Sequence, residues 1–506
     1  MRLLSQIVEK PSKVRFTFEK LRTTVINPSE NSLQKTRRYR RNIFTDATLK
    51  QNRWILFFFL YGVLIMLFVV LCMLWTVRKR RQSQSSVNND SPENDTPNNS
   101  QNNHQREDIT METITQLEET EPLLNTQQEN EECPSDLLSG PINERIDYLK
   151  FDESREIKRS NIKMFKPIGN GQFGAVHIGL LKRSNTTWEK GPTLPVALKR
   201  PIHHYNAANL QLTYEELKLM CAIGKHPNVI CLIGGVVNGL QKQAETWIVS
   251  EYVECGDLLE FLRKSRDIFE NKLISSQNGY MVPTKKLYLS KEEPENGKAK
   301  LSTYDLLSFA YQIANGMDYL AKIRLVHRDL ALRNILINKN KTIRIADFGL
   351  ARKNNKGYYR VKHMETHLPY YYSSPESWDT QKFNEKSDVW SFGVCLYEIF
   401  SLGKEPYADV KEVQNSKNDL MVYLKAGNHL SRPEFCHPEV YKVMELCFNL
   451  DVDVRPNFSL CLEYFAEHLS TAAKPLFEEI EHNLQLEAEK QRKLSDWVQD
   501  DDDDDE

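Results

Sequence analysis

The sequence predicts an α+β chain whose folded body is two-lobed, strand-rich first and helical second, with one membrane-spanning helix and unstructured tails. Three observations predict it. Beyond Ile162, short apolar runs alternate with turn residues, and after about residue 300 long helical periods such as Tyr304 to Ala321 take over. Residues 54–77 carry no charge, and sixteen of these 24 residues are Leu, Ile, Val or Phe. From Gln82 to about Asn143, Asn, Gln, Ser, Glu and Thr dominate, a composition that cannot bury enough apolar surface to order itself.

In chain order, residues 1–53 form a short basic segment. The first of the nine cysteines is Cys72, and about fifty residues without disulfides build little core, so no folded ligand-binding domain is expected there. The span 54–77 makes a helix of ~36 Å, enough for a ~30 Å hydrocarbon layer. Arg78, Lys79, Arg80 and Arg81 follow at once and stop it at the membrane surface. No apolar stretch precedes it in the first twenty residues, so the span itself acts as a signal anchor. Residues 78–159 read as a disordered linker and 160–470 as the folded body. Within that body, Lys264 to Lys300 is polar and aperiodic, an insertion on the surface. Residues 471–506 form a charged tail, helical from Ala473 to Leu494, ending in the solvated acidic run Asp500 to Glu506. Scattered cysteines without a CxxC pair suit a reducing compartment. A net charge of −2 from 67 basic and 69 acidic residues gives no footprint for nucleic acid.

Ile168, Gly169, Asn170, Gly171, Gln172, Phe173, Gly174, Ala175 and Val176 read as a glycine-rich strand, turn and strand. The three glycines let the backbone approach phosphates, and Val176 covers an adenine. Alone, such a run is as easily a plain turn; a dinucleotide-binding reading would need a helix next, where Ala175 to Leu181 continues as strand. Val196-Ala197-Leu198-Lys199 puts a lysine at the end of an apolar strand, suited to α- and β-phosphate oxygens. Its carboxylate partner is expected to be Glu216, with the neighbouring Glu215 as the alternative. In His327-Arg328-Asp329-Leu330-Ala331-Leu332-Arg333-Asn334 a carboxylate and an amide stand five residues apart. That spacing suits in-line phosphoryl transfer, with Asp329 accepting the hydrogen bond of an acceptor hydroxyl and Asn334 holding Mg2+. Asp347-Phe348-Gly349, thirteen residues past Asn334, supplies a second metal carboxylate and a glycine where the loop turns. Any one of these strings arises by chance, but the ordered set points to ATP and Mg2+.

Over about 300 residues these motifs resemble the protein kinases and, among them, the receptor tyrosine kinases. Ala331 and Arg333 look like the tyrosine-kinase form of the catalytic loop, which implies that Arg333 balances charge near the transferring phosphate. DVWSFG from Asp388 and EIFSLGKEPY ending at Tyr407 are similar to tyrosine-kinase signatures, and the insertion is similar to that of split-kinase growth-factor receptors. The resemblance implies a hinge at Glu251 to Val253 with backbone contacts to adenine, a small gatekeeper at Ser250, and an adenine sandwich of Val176, Ala197 and Leu336. It also implies an apolar column of Met220, Leu232, His327 and Phe348, and autophosphorylation in trans at Tyr358 and Tyr359. The partners implied are protein substrates with tyrosine acceptors, a second copy of the chain, and the lipid bilayer. The need for ATP sets the catalytic domain in the cytosol, on a single-pass cell-membrane anchor. Seven basic residues from Lys35 to Arg53 crowd the other flank, so a re-entrant hairpin with both ends cytosolic is the alternative.

One departure stands out. Where tyrosine kinases usually read LPVKWMAPE, this chain reads Leu368-Pro369-Tyr370-Tyr371-Tyr372-Ser373-Ser374-Pro375-Glu376. Glu376 is still expected to pair with Arg455, and Phe448 stands where the family generally has tryptophan. The altered docking loop keeps one alternative open, a catalytically silent scaffold, and serine/threonine or mixed specificity is a third reading.

Overall fold

Period-two alternation of apolar residues folds the first lobe into one antiparallel sheet. Strands β1 (Ile162–Gly171), β2 (Gly174–Lys182), β3 (Thr193–Arg200), β4 (Leu232–Val236) and β5 (Trp247–Glu251) run in the order β1-β2-β3-β5-β4. Helix α1 (Ala207–Ile223) lies between β3 and β4 in sequence and packs on β4 and β5. Its fully buried Leu217 sits against Gly235, where an added Cβ would come within 2.5 Å of Leu217 Cδ2. The register sets Ala197 opposite Ser250 and Lys199 opposite Ile248, so the lysine and the hinge strand are fixed by one ladder.

This computed structural model describes residues 140–171, 174–183, 186–201, 207–237, 246–272, 301–351, 370–413, 417–495 and 497–498. The expected span 54–77, Gln172, Phe173, Tyr358, Tyr359 and most of the insertion lie outside them. Among the described residues no helix is long and apolar enough to cross a membrane.

The second lobe begins with α2 (Leu258–Lys264), capped by Asp257, which accepts from Glu260 N–H at 2.9 Å. Short strands β6 (Phe269–Glu270) and β7 (Leu301–Ser302) pair in parallel and close the base of the insertion. The first residues past Lys264 are tied to the helical lobe, Arg266 Nε donating to Leu402 O at 2.8 Å and Lys272 N–H to Thr303 Oγ1 at 3.0 Å. Helix α3 (Thr303–Lys322) starts on a Ser302/Asp305 capping box, which satisfies two backbone donors at once. The hairpin of β8 (Ile335–Ile337) and β9 (Ile343–Ile345) follows. Then come α4 (Pro375–Thr380), α5 (Glu385–Phe400), α6 (Lys417–Lys425), α7 (Pro438–Cys447), α8 (Phe458–Ala472) and α9 (Lys474–Ser495). Helix α3 packs on α5 and α8, and the Phe392 ring of α5 meets Phe458 at 5.8 Å and Phe465 at 6.0 Å on α8.

Folded chain extends past both ends of the 160–470 body that composition suggests. Upstream, Ile142, Ile146, Phe151 and Ile157 are buried, and Asn143 is a buried bolt. It donates to the carbonyls of Val326 (2.9 Å) and Ala351 and accepts from Val326 N–H at 2.9 Å. These are single anchors among charged residues, which composition does not register. Downstream, α9 packs against α8, α3 and β4.

Candidate active site

The catalytic loop is held from below by the helical lobe. Asp388, in the first turn of α5, accepts the backbone N–H groups of His327 (2.7 Å) and Arg328 (2.9 Å). These bonds fix Arg328 in the left-handed region, φ 67°, a conformation that residues with a side chain rarely adopt without support. Burial pushes the Asp388 carboxyl up to about 7, against the pull of those two donors. His327 Nδ1 accepts from Asp329 N–H at 3.3 Å, which leaves Nε2 to donate to Ala346 O at 3.2 Å. Burial lowers the His327 pKa to about 4, so the ring stays neutral in that tautomer.

On this platform three carboxylates and two cations converge. Lys199 Nζ lies 2.6 Å from Glu216 Oε1 and 2.8 Å from Asp347 Oδ1. Glu216 is buried on α1, whereas Glu215 accepts from Gln211 at 3.1 Å. Burial alone would lower the lysine pKa, but Asp347 and Glu216 together raise it, keeping it a cation. Burial would likewise raise Asp347, and the charge of Lys199 outweighs that and lowers it. Asp347 itself adopts φ 63° and accepts from Gly349 N–H at 3.3 Å. The Phe348 ring beside it is fully buried, 5.2 Å from that of His327. Met220 and Leu232, the other two residues of the expected column, are buried as well.

Asp329 is held by the side chains of Asn334 and Arg333. Asn334 Nδ2 donates to its Oδ2 at 2.8 Å and to its carbonyl at 2.8 Å, and Arg333 Nη2 donates to its Oδ1. Burial raises the carboxyl to about 6, the nearby Arg333 and Asn334 opposing. With its N–H groups spent on Asp329, Asn334 keeps its amide oxygen as a hard acceptor, and Asp347 offers a carboxylate at the same site. Among the described residues no cluster of three or more His, Cys, Asp or Glu forms a self-sufficient metal site. Two protein oxygens beside a phosphate pocket are the donor set Mg2+ prefers, since it keeps waters and phosphate oxygens as its other ligands.

The glycine-rich segment adjoins the strand of Lys199, with Val176 opposite that lysine in the β2–β3 ladder. The pairs Gly169↔Val176, Asn170↔Ala175 and Gly171↔Gly174 make it strand, turn and strand, with Ile168 exposed at 46 %. A Cβ at Gly174 would approach Arg200 O to 2.5 Å, so no side chain fits there. Val176, Ala197 and Leu336 are half-buried, as walls of an open cleft would be, while Glu251 and Val253 are buried.

The substrate side has partners that motif reading missed. Tyr372, in the departed docking segment, donates to Glu398 Oε1 at 2.6 Å, and its ring lies 4.8 Å from the Arg333 guanidinium. Glu398 also accepts from Leu332 N–H at 3.5 Å, and burial raises its carboxyl to about 7. Tyr371 stacks on Tyr407 at 6.1 Å and lies 4.2 Å from the Tyr370 ring. Beneath, Arg455 grips Glu376 with two bonds of 2.6 and 2.8 Å. The run of three tyrosines, Tyr370 to Tyr372, was the available signal.

This fold and this cluster define a protein kinase. Residues 162–465 match the family described as protein tyrosine and serine/threonine kinase, and the chain belongs to that family. It is 46% identical to the receptor-like tyrosine-protein kinase kin-15 of Caenorhabditis elegans over 389 residues, which cover 74% of this chain and 78% of that protein. It is 44% identical to the tyrosine-protein kinase receptor old-1 of the same organism, covering 73% and 71%. A fibroblast growth factor receptor of Halocynthia roretzi is 32% identical, covering 67% of this chain and 42% of that receptor. The chain is a tyrosine kinase of the receptor tyrosine kinase group.

Proposed function

We propose that this protein is a membrane-anchored kinase that moves the γ-phosphoryl group of ATP to protein tyrosines, with Asp329, Lys199, Glu216 and Arg333 as its catalytic side chains. The convergence of Lys199, Glu216, Asp347, Asp329 and Asn334 on one half-open cleft carries the proposal. Lys199, held as a cation by Glu216, binds the α- and β-phosphates. Ile168 to Val176 covers the phosphates, Ala197 and Leu336 enclose the adenine, and Glu251 to Val253 offer it backbone contacts. Asn334 and Asp347 would hold Mg2+, which when bound would neutralise charge on the phosphate oxygens. Asp329 accepts the proton of the tyrosine hydroxyl while its oxygen bonds to the γ-phosphorus and the bond to the departing ADP breaks. Arg333 keeps Asp329 oriented and offsets charge near the transferred group.

The anchor is residues 54–77, with the kinase domain on the cytosolic side. Two copies brought together in the bilayer raise their mutual concentration, and the first substrates are Tyr358 and Tyr359 in trans. Phosphate there adds nearly two negative charges per tyrosine. The test is the full chain in membranes with ATP and Mg2+, beside Lys199→Met and Asp329→Asn, read with an antibody against phosphotyrosine and by phosphoamino-acid analysis. Wild type alone should label on tyrosine. Equal labelling in all three, or phosphoserine only, ends the proposal.

A further inference from the structure

A charged C-terminal helix past the last family-matched residue would ordinarily be a solvated appendix. Here α9 climbs the side of the molecule from one lobe to the other. At its foot, the Phe477 ring meets Tyr311 of α3 at 5.5 Å, and Glu481 accepts from the Tyr311 hydroxyl at 2.6 Å. Ile480 and Leu484 are buried on the same face. At its top, Leu494 belongs to the apolar cluster of the strand lobe with Ile162, Leu181 and Val249, and Trp497 and Val498 pack against it. The Arg183 guanidinium at the end of β2 lies 5.3 Å from the Trp497 ring.

Between foot and top, α9 reaches the hinge. Gln491 is fully buried and its Nε2 donates to Glu251 Oε1 at 3.0 Å and to Val229 O at 3.0 Å. Glu487 accepts from Arg344 Nη2 at 2.5 Å and from Asn340 at 3.1 Å. Arg344, itself fully buried, donates from Nε to Glu251 Oε1 at 3.0 Å and from Nη1 to Pro227 O at 2.5 Å. The same Glu251 oxygen takes the Cys231 N–H at 2.8 Å. So the side chain of the hinge's first residue is fixed by three groups, one of them in the tail.

A kinase must open to release ADP and close to transfer phosphate, and both motions turn about the hinge. A helix seated on both lobes, with a side chain on the hinge carboxylate, cannot stay indifferent to that turn. We propose that α9 with Trp497 is an interlobe strap, and that Gln491 and Glu487 are positioning residues that hold the hinge in its nucleotide-binding geometry through Glu251 and Arg344. The proposal rests on the reading of Glu251 to Val253 as the adenine-contacting hinge. By linkage, nucleotide must then tighten the seating of α9 to the extent that α9 tightens nucleotide.

The test is hydrogen exchange on the full chain in detergent, with and without Mg-ADP, alongside ADP titration and steady-state kinetics. Two variants keep it readable: Gln491→Leu, which removes the donor but keeps the volume, and Trp497→Ala, at the rim. ADP is expected to slow exchange across residues 484–498 in wild type. Losing bonds of this kind to a buried carboxylate should weaken ADP binding and raise KM for ATP by about tenfold, while KM for a peptide and kcat stay within about threefold. A tail that only adds stability would lower kcat by shrinking the active fraction and leave KM for ATP unmoved. Unchanged exchange on ADP binding, or unchanged KM for ATP in both variants, overturns the strap. If wild type does not bind ADP at all, the nucleotide reading itself fails instead, so the two failures are told apart.

Discussion

The cleft around Lys199 and the seam around Arg344 both join the lobes with ion pairs, yet they meet water differently. In the cleft, the side chains of Lys199, Asp347 and Arg333 are 16 %, 32 % and 38 % exposed. In the seam, those of Arg344 and Glu251 are 0 % and 3 % exposed. The seam is closed, because Arg344 spends its donors on Glu251, Glu487, Pro227 and Ile343. The cleft is open, because Asn334 and Asp347 still present oxygens to an incoming cation. Open, partly wet charge serves chemistry, and closed, dry charge serves geometry: it is costly to break and does nothing to a substrate.

The contrast predicts that damage separates by type. Asp329→Asn should lower kcat by roughly 10²–10⁴-fold while the urea midpoint of unfolding stays put. A large stability loss there would erase the distinction. Arg344→Met should do the opposite. Removing the cation strands Glu251 and Glu487 in a dry site at a cost of roughly 3–5 kcal/mol, read from the same urea curve, and activity per folded molecule should survive better than in the cleft variant. Asn143→Ala leaves the Val326 N–H without its acceptor and should cost about 1–3 kcal/mol. The smallest effect sharpens the picture by pH. The Glu398 pKa is raised from an ordinary 4.5 to about 7 by burial, so the folded state favours its protonated form. Its contribution to stability is therefore full below about pH 4.5 and is lost as pH rises through 7. Glu398→Gln should flatten that part of the melting temperature profile, and an unaltered profile would mean that another group titrates there.

The cleft was legible in the sequence because its chemistry is local. Asp329, Arg333 and Asn334 share one loop, and Asp347 follows within a hairpin's length, so spacing alone encodes their meeting. Lys199 and Glu216 are farther apart, but each closes or rides an element with a clear period. The seam has no such grammar. Gln491 and Glu251 are separated by 240 positions, and Gln and Glu on a charged helix read as solvent-facing until the partner surface is known. Asn143 was hidden in the same way, a polar letter in a polar stretch. The run Tyr370 to Tyr372 could be seen to depart from its relatives, but its anchorage on Glu398 needed α5 in place. Tyr358, Tyr359 and the span 54–77 lie outside the described residues, and their roles stand as proposals.

Because Trp497 and Val498 pack against the apolar cluster of β-strands, the last described residues sit on the small lobe and not at the foot of the large one. A fluorophore or epitope appended there would travel with the sheet. Paired with a second dye on α7, it would report the rocking of one half of the enzyme against the other without touching the cleft.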